Sequence, residues 1–147
     1  MVEYKKEEFE ILLVEDNPAD IRLTKEAINK IDIVKNLHVV KDGVEAINYL
    51  RKLGKFSKFN RPDLIFLDLN LPKKSGLEVL SEIKQDEDFR RIPVIILTIS
   101  ANEEDLVKAY NLHANCFINK PLDVKEFYTI MEFVCLYWFK IVKLSRC

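Results

Sequence analysis

The chain has few cysteines, no C-x-x-C pair and no large excess of charge of either sign. Three cysteines (Cys116, Cys135 and Cys147) are scattered along 147 residues without a C-x-x-C spacing. Cys116 lies in an apolar strand-like run and Cys135 in a helical one, so buried thiols are expected rather than a disulfide framework or a metal knuckle. That usage fits a reducing, cytoplasmic setting. The formal net charge is −1, which supplies no global attraction to nucleic acid or to an anionic membrane. The N-terminal residues Met1-Val2-Glu3-Tyr4-Lys5-Lys6 lack the apolar stretch of a signal peptide. The apolar C-terminal stretch is broken by Lys125, Glu126, Glu132 and Lys140, too many charges for a bilayer span. His38 and His113 have no partner at ligand spacing, which argues against a transition-metal site. Repeats, low-complexity segments and linkers are also missing, so residues 1–147 read as one domain, with a core at about 9–140 and no output domain.

What is present is a set of short apolar runs that end in charge. Leu64-Ile65-Phe66-Leu67 has no polar alternation, as suits a strand buried on both faces of a parallel sheet, and it stops at Asp68. Ile11 to Val14 stops at Glu15-Asp16, and Pro18 suits the first turn of the helix that follows. Leu37 to Val40 runs into Asp42-Gly43. The next helix spans about Val44 to Leu53, with Gly54 as its expected stop. Pro93 to Thr98 is a fourth strand, and Ser100 to Asp105 opens the helix after it. Asn115 to Asn119 is a fifth, broken by Lys120-Pro121. A final helix is expected from about Val124 to beyond Lys140. Strands alternating with helices argue for parallel βαβ units. The fold class is therefore α/β, a doubly wound five-stranded parallel sheet of flavodoxin-like (βα)5 type in the order 2-1-3-4-5, which sets the first and third strands side by side.

That order brings Glu15, Asp16 and Asp68 to one edge, with Thr98 and Lys120 at neighbouring strand ends. Crowded carboxylates require a proton or a cation, and hard oxygen ligands suit Mg2+ better than zinc. A hydroxyl, an ammonium, a cation and a free carboxylate are together suited to hold a phosphoryl group on Asp68.

The acidic pair Glu15-Asp16, the stretch L-I-F-L-D-L-N-L-P containing Asp68, then Thr98 and Lys120-Pro121 resemble, in order and strand placement, the receiver domain of two-component response regulators. The resemblance covers roughly Phe9 to Lys140. The stretch D-L-N-L-P-K-K-S-G, the connection Lys55 to Arg61 and the ending F-K-I-V-K-L are similar to the single-domain regulators of bacterial phytochrome-type histidine kinases. The resemblance implies that Asp68 is the phosphoacceptor, served by a kinase phosphohistidine. It implies Mg2+ held by Glu15, Asp16, Asp68 and the carbonyl of Asn70. It assigns phosphoryl binding to Thr98 and Lys120, a switch aromatic to Phe117 and a cis bond to Pro121. Asn70 and Ser100 are expected near the phosphoryl group. The implied activity is signalling, not enzymatic turnover of a substrate.

Three other readings compete. An aspartyl-phosphate phosphatase places its nucleophile after the first strand with a second Asp two positions on, whereas position 70 is Asn. A flavodoxin-like cofactor binder needs a Ser/Thr/Gly-rich anion loop where this chain has Glu15-Asp16. A degenerate receiver would act as a phosphorylation-independent binding or dimerisation module. On the last helix, Val124, Phe127, Met131, Val134, Cys135, Trp138 and Val142 form one core-facing stripe at 100° per residue. Phe133, Leu136 and Tyr137 fall largely outside it, so a homodimer through helix 4, strand 5 and helix 5 is expected.

Overall fold

A computed structural model describes residues 8–99, 102–121 and 123–145. The elements are β1 (Phe9–Val14), α1 (Pro18–Asn29), β2 (Lys35–Val40), α2 (Gly43–Leu50), β3 (Leu64–Leu67), α3 (Gly76–Gln85), β4 (Val94–Thr98), α4 (Glu103–Asn111), β5 (Cys116–Asn119) and α5 (Val124–Leu136). The sheet order is β2-β1-β3-β4-β5 and every pair is parallel.

Strand residues alternate between two cores because successive side chains leave opposite faces of a sheet. Leu12, Val14, Ile65, Leu67, Val94 and Ile96 face α2, α3 and α4. Phe9, Ile11, Leu13, Leu64, Phe66, Ile95 and Leu97 face α1 and α5. All four residues of β3 are completely buried. Each such side chain contributes about 1.5–3 kcal/mol of burial, which makes β3 the rigid axis that carries the residue after it.

Helix starts follow side-chain chemistry. Asn17 caps α1 by accepting from the N–H groups of Ala19 and Asp20 at 2.9 and 3.1 Å. Ser75 and Glu78 form a reciprocal capping box at α3. Asn102 caps α4, which begins at Glu103; Ser100, expected to open that helix, lies outside the described residues.

Three expectations need correction. Helix α2 ends at Leu50, not Leu53, because Lys52, with φ 56°, takes the left-handed turn that closes it two residues before Gly54, itself left-handed with φ 57°. The Lys52 N–H donates to Tyr49 O at 3.1 Å and the Leu53 N–H to Asn48 O at 2.9 Å, a Schellman closure of the helix end. Gly54 instead opens a 3-10 turn, Gly54–Phe56.

The second correction concerns the last helix, which widens into a π-helical turn over Tyr137–Ile141. A π turn holds residues four apart on one face better than an α-helix does. Phe139 consequently continues the buried line of Phe127, Met131 and Cys135 on the α-helix, and Val124, in the first turn of that helix, is exposed. Phe139 stacks on Phe9 with ring centroids 4.2 Å apart. Leu136 packs half-buried against the α1–α5 core, while Phe133 and Tyr137 stay 70% and 51% exposed.

Third, no peptide bond among the described residues is cis, so Lys120–Pro121 is trans. Trans is the cheaper isomer by about 0.5–1 kcal/mol even before proline, and the contacts Lys120 makes in this structure are formed with it.

The thiols behave as core groups. Cys135 is fully buried and burial pushes its pKa up to about 12. Cys116 is half-buried and also free, and Cys147 lies outside the described residues.

Candidate functional site

The site forms where three strands run out at their carboxyl ends. Sheet hydrogen bonds continue one residue past each strand and fix the backbone there. The Glu15 N–H donates to Val40 O at 3.0 Å, Asp68 N–H to Val14 O at 3.1 Å, and Lys120 N–H to Thr98 O at 2.8 Å. The side chains of Glu15, Asp68 and Lys120 therefore start from a rigid platform. All three are buried, with 1%, 8% and 7% of the side-chain surface exposed.

The ammonium of Lys120 is the hub. It forms a short salt bridge to Glu15, reaches Asp20 Oδ2 at 3.3 Å and Asp68 Oδ2 at 3.5 Å. Burial of Glu15, with the Asp68 carboxyl beside it, pushes the Glu15 pKa up to about 8, despite the opposing pull of Lys120. Burial acts to lower the Lys120 pKa, but the hydrogen bond it donates to Glu15 and the charges of Asp68, Glu15 and Asp20 more than offset it, and the net shift is upward. The site thus holds more carboxylate than one ammonium neutralises.

Asp20 was not among the residues singled out from sequence. A signal for it exists. Pro18 and the Asn17 cap fix the helix start, which makes Asp20 the third helical residue. Side chains in a first turn lean back toward the helix N-terminus, here toward the end of β1.

The remaining expected residues divide. Asn70 sits on the loop directly after Asp68, its N–H donating to Asp68 Oδ1 at 3.1 Å. Thr98 is completely buried at the end of β4. Phe117 is half-buried against the α2–α4 core, four strand-and-loop positions before Pro121. Asp16 is exposed at the rim, its N–H donating to Glu15 Oε2 at 3.1 Å. Ser100 lies outside the described residues. Among the described residues no three His, Cys, Asp or Glu side chains form a ready-made metal cage; Lys120 draws Glu15, Asp20 and Asp68 to itself instead. In kind, the donors are carboxylates and an amide carbonyl with excess negative charge. That set suits a hard divalent cation that keeps part of its water.

A parallel sheet in this order, with acidic residues and a lysine gathered at its carboxyl edge, is the architecture of a phosphorylation-controlled signalling receiver. The chain belongs to the response regulator receiver domain family, whose profile matches residues 11–132, and its role is that of a response regulator in two-component signal transduction. Response regulator Rcp1 of Synechocystis sp. is 44% identical over 134 residues, covering 91% of each chain. The crystal structure of the phosphorylated cyanobacterial phytochrome response regulator RcpA superposes with a TM-score of 0.91 at 45% identity, covering 95% of this chain and 99% of that one. The Mn(2+)-bound form of Rcp1 superposes with a TM-score of 0.88 at 43% identity, covering 93% and 99%.

Proposed function

We propose that Asp68 accepts a phosphoryl group from a phosphohistidine on a sensor histidine kinase, of phytochrome type given the relatives above. The observation that carries this is the buried Lys120 ammonium lying 3.5 Å from Asp68 Oδ2. A carboxylate oxygen of Asp68 forms the new O–P bond, the N–P bond of the phosphohistidine breaks, and the released imidazole takes a proton. Lys120 then contacts a phosphoryl oxygen, released in part from Glu15. Thr98, at the adjoining strand end, donates its hydroxyl to another, and Phe117 follows that movement as the switch aromatic.

Glu15, Asp16, Asp68 and the Asn70 carbonyl would hold Mg2+, which supplies neutralisation of the incoming phosphoryl charge. The residues fit it by donor type and by charge, as argued above. The chain itself positions the acceptor and stabilises charge. It is a phosphoacceptor that assists its own phosphorylation and dephosphorylation, working in the cytoplasm; no described helix is long and apolar enough to cross a membrane.

The switched output is protein contact, through a homodimer built on α4, β5 and α5. Phe133 on α5, Tyr137 in the π turn after it, and Val107 and Tyr110 on α4 are all about half exposed or more, as an apolar interface would require. Ultracentrifugation at tens of micromolar is expected to find a dimer that Phe133→Ser weakens. A monomer with and without a phosphoryl analogue would contradict it.

The test of the acceptor is incubation with a small acyl phosphate donor and Mg2+, read by intact mass. One phosphoryl adduct, lost in Asp68→Asn, is expected. The absence of any adduct with every donor would favour a phosphorylation-independent binding module.

A further inference from the structure

The loop that follows the acceptor, residues 69–75, is gripped from a part of the chain outside the acidic site. Within the loop, Lys73 has φ 67°, a left-handed conformation that costs a residue with a Cβ about 1 kcal/mol or more. Such strain persists only where surroundings impose it. The loop's own turn, with the Lys74 N–H donating to Pro72 O at 2.8 Å, supplies part of that, and Asp42 and Gly43, between β2 and α2, pack against it. The Gly43 N–H donates to Pro72 O at 3.4 Å. Asp42 uses one carboxylate oxygen to cap α2, accepting from the Glu45 N–H at 2.7 Å. Its other oxygen lies 3.5 Å from Lys73 Nζ.

Gly43 is required for the approach. A Cβ there would sit 2.7 Å from Lys74 Cβ and 2.8 Å from the Lys74 carbonyl carbon, with the carbonyl oxygen nearer still. Those separations are shorter than nonbonded atoms tolerate, and the carbonyl belongs to backbone that cannot rotate aside. The loop is tied to the acceptor by the Asn70 N–H, which donates to Asp68 Oδ1 at 3.1 Å, and its far end is tied to the residue after the acceptor, Gly76 N–H to Leu69 O at 3.0 Å. Any displacement at Lys74 is therefore passed along a short, doubly anchored loop to Asp68 and the Asn70 carbonyl.

We infer that Asp42-Gly43 is a positioning clamp for the acceptor loop, setting where Asp68 and the Asn70 carbonyl stand for a divalent cation. This rests on the phosphoacceptor reading and deepens it. Neither residue touches the reacting atoms. Their effect falls on cation affinity, because residues that hold a ligand in place typically account for 10–100-fold in binding.

The experiment is calorimetric titration of the full chain with Mg2+, paired with thermal unfolding, for the native protein and Gly43→Ala. Gly43→Ala is expected to bind Mg2+ about tenfold more weakly. Phosphorylation by an acyl phosphate should slow at limiting Mg2+ and recover at saturating Mg2+. Affinity within twofold of native overturns the clamp. A chain that folds poorly as Gly43→Ala is replaced by a measurement on the native protein. With only three glycines in the sequence, the amide signals of Gly43 and Gly54 are readily assigned by NMR. The Gly43 signal is expected to shift on Mg2+ addition and saturate with it, while that of Gly54 stays still. An unmoved Gly43 signal overturns the clamp. Native protein that binds no Mg2+ and takes no phosphoryl group defeats the acceptor reading and the clamp together, whereas a native adduct with unchanged Gly43→Ala affinity defeats the clamp alone.

Discussion

Two partly buried lysines sit at opposite edges of the same sheet and meet opposite surroundings. Lys120, at the carboxyl edge, faces Glu15, Asp20 and Asp68. Lys84, on the last turn of α3, faces neutral oxygens at the other edge. It donates to Arg90 O at 3.1 Å, Ile92 O at 2.9 Å and Asn115 Oδ1 at 2.9 Å. Burial lowers the Lys84 pKa to about 8. At Lys120 the carboxylates override burial and the shift is upward. Burial alone thus does not mark a functional lysine. Lys84 ties the entries of β4 and β5 to a helix end and spends every N–H on fixed backbone or amide oxygens. Lys120 holds groups that a cation or a phosphoryl group can take over.

The largest expected effect separates the two directly. Lys120→Gln should slow phosphorylation by an acyl phosphate roughly 100-fold, the usual cost of removing one electrostatic contact to the reacting group. Its stability at neutral pH should change less, because Glu15, with its pKa near 8, keeps a proton when Lys120 is gone. Kinetics by intact mass and thermal unfolding check the two halves.

Lys84→Met should do the reverse. Asn115 Oδ1 keeps the Val94 N–H at 2.9 Å and the carbonyl of exposed Arg90 turns to water, but the acceptor of buried Ile92 is stranded, at about 1–3 kcal/mol for a buried group left unpaired. For a chain of this size that is on the order of 2–10 °C in melting temperature. Phosphorylation should stay within twofold of native. A large loss of phosphorylation would erase the distinction between the two edges.

The smallest effect is the pH dependence of stability, and its sign differs at the two edges. The raised Glu15 pKa means the folded chain holds an extra proton between pH 4.5 and about 8. Stability from that group is full below pH 4.5 and is lost as pH rises through 8. The lowered Lys84 pKa means the unfolded chain holds the extra proton between about pH 8 and 10.5, so stability rises with pH across that window. Denaturant midpoints with a chelator present should show Glu15→Gln abolishing the first slope and Lys84→Met the second.

Much of this was legible in the residues, and the gaps have physical causes. The limits of β3 coincide with expectation because an apolar run bounded by Asp63 and Asp68 leaves little freedom. The acidic strand ends were legible because strand order converts sequence position into proximity. The end of α2 was not, because glycine is the usual left-handed residue and here Lys52 takes that role. Beyond Leu136 a constant 100° per residue does not hold, because the π turn carries the buried line to Phe139. Leu136, expected outside the core-facing stripe, is half-buried against the core, while Phe133 and Tyr137 remain outside. Asp20 is signalled only by the way the first turn of α1 leans back over the end of β1, and the Asp42-Gly43 grip on Lys73 and Lys74 is hidden because it depends on packing between loops distant in sequence.

One comparison tests most directly whether the charge chemistry resides at the carboxyl edge. Native chain, Asp68→Asn, Lys120→Gln and Lys84→Gln would be given the same acyl phosphate and Mg2+, and the fraction carrying one phosphoryl group followed by intact mass. The expected result is rapid addition to the native chain and to Lys84→Gln, little to Lys120→Gln and none to Asp68→Asn. A full adduct on Asp68→Asn, or equal losses in the two lysine variants, would contradict it.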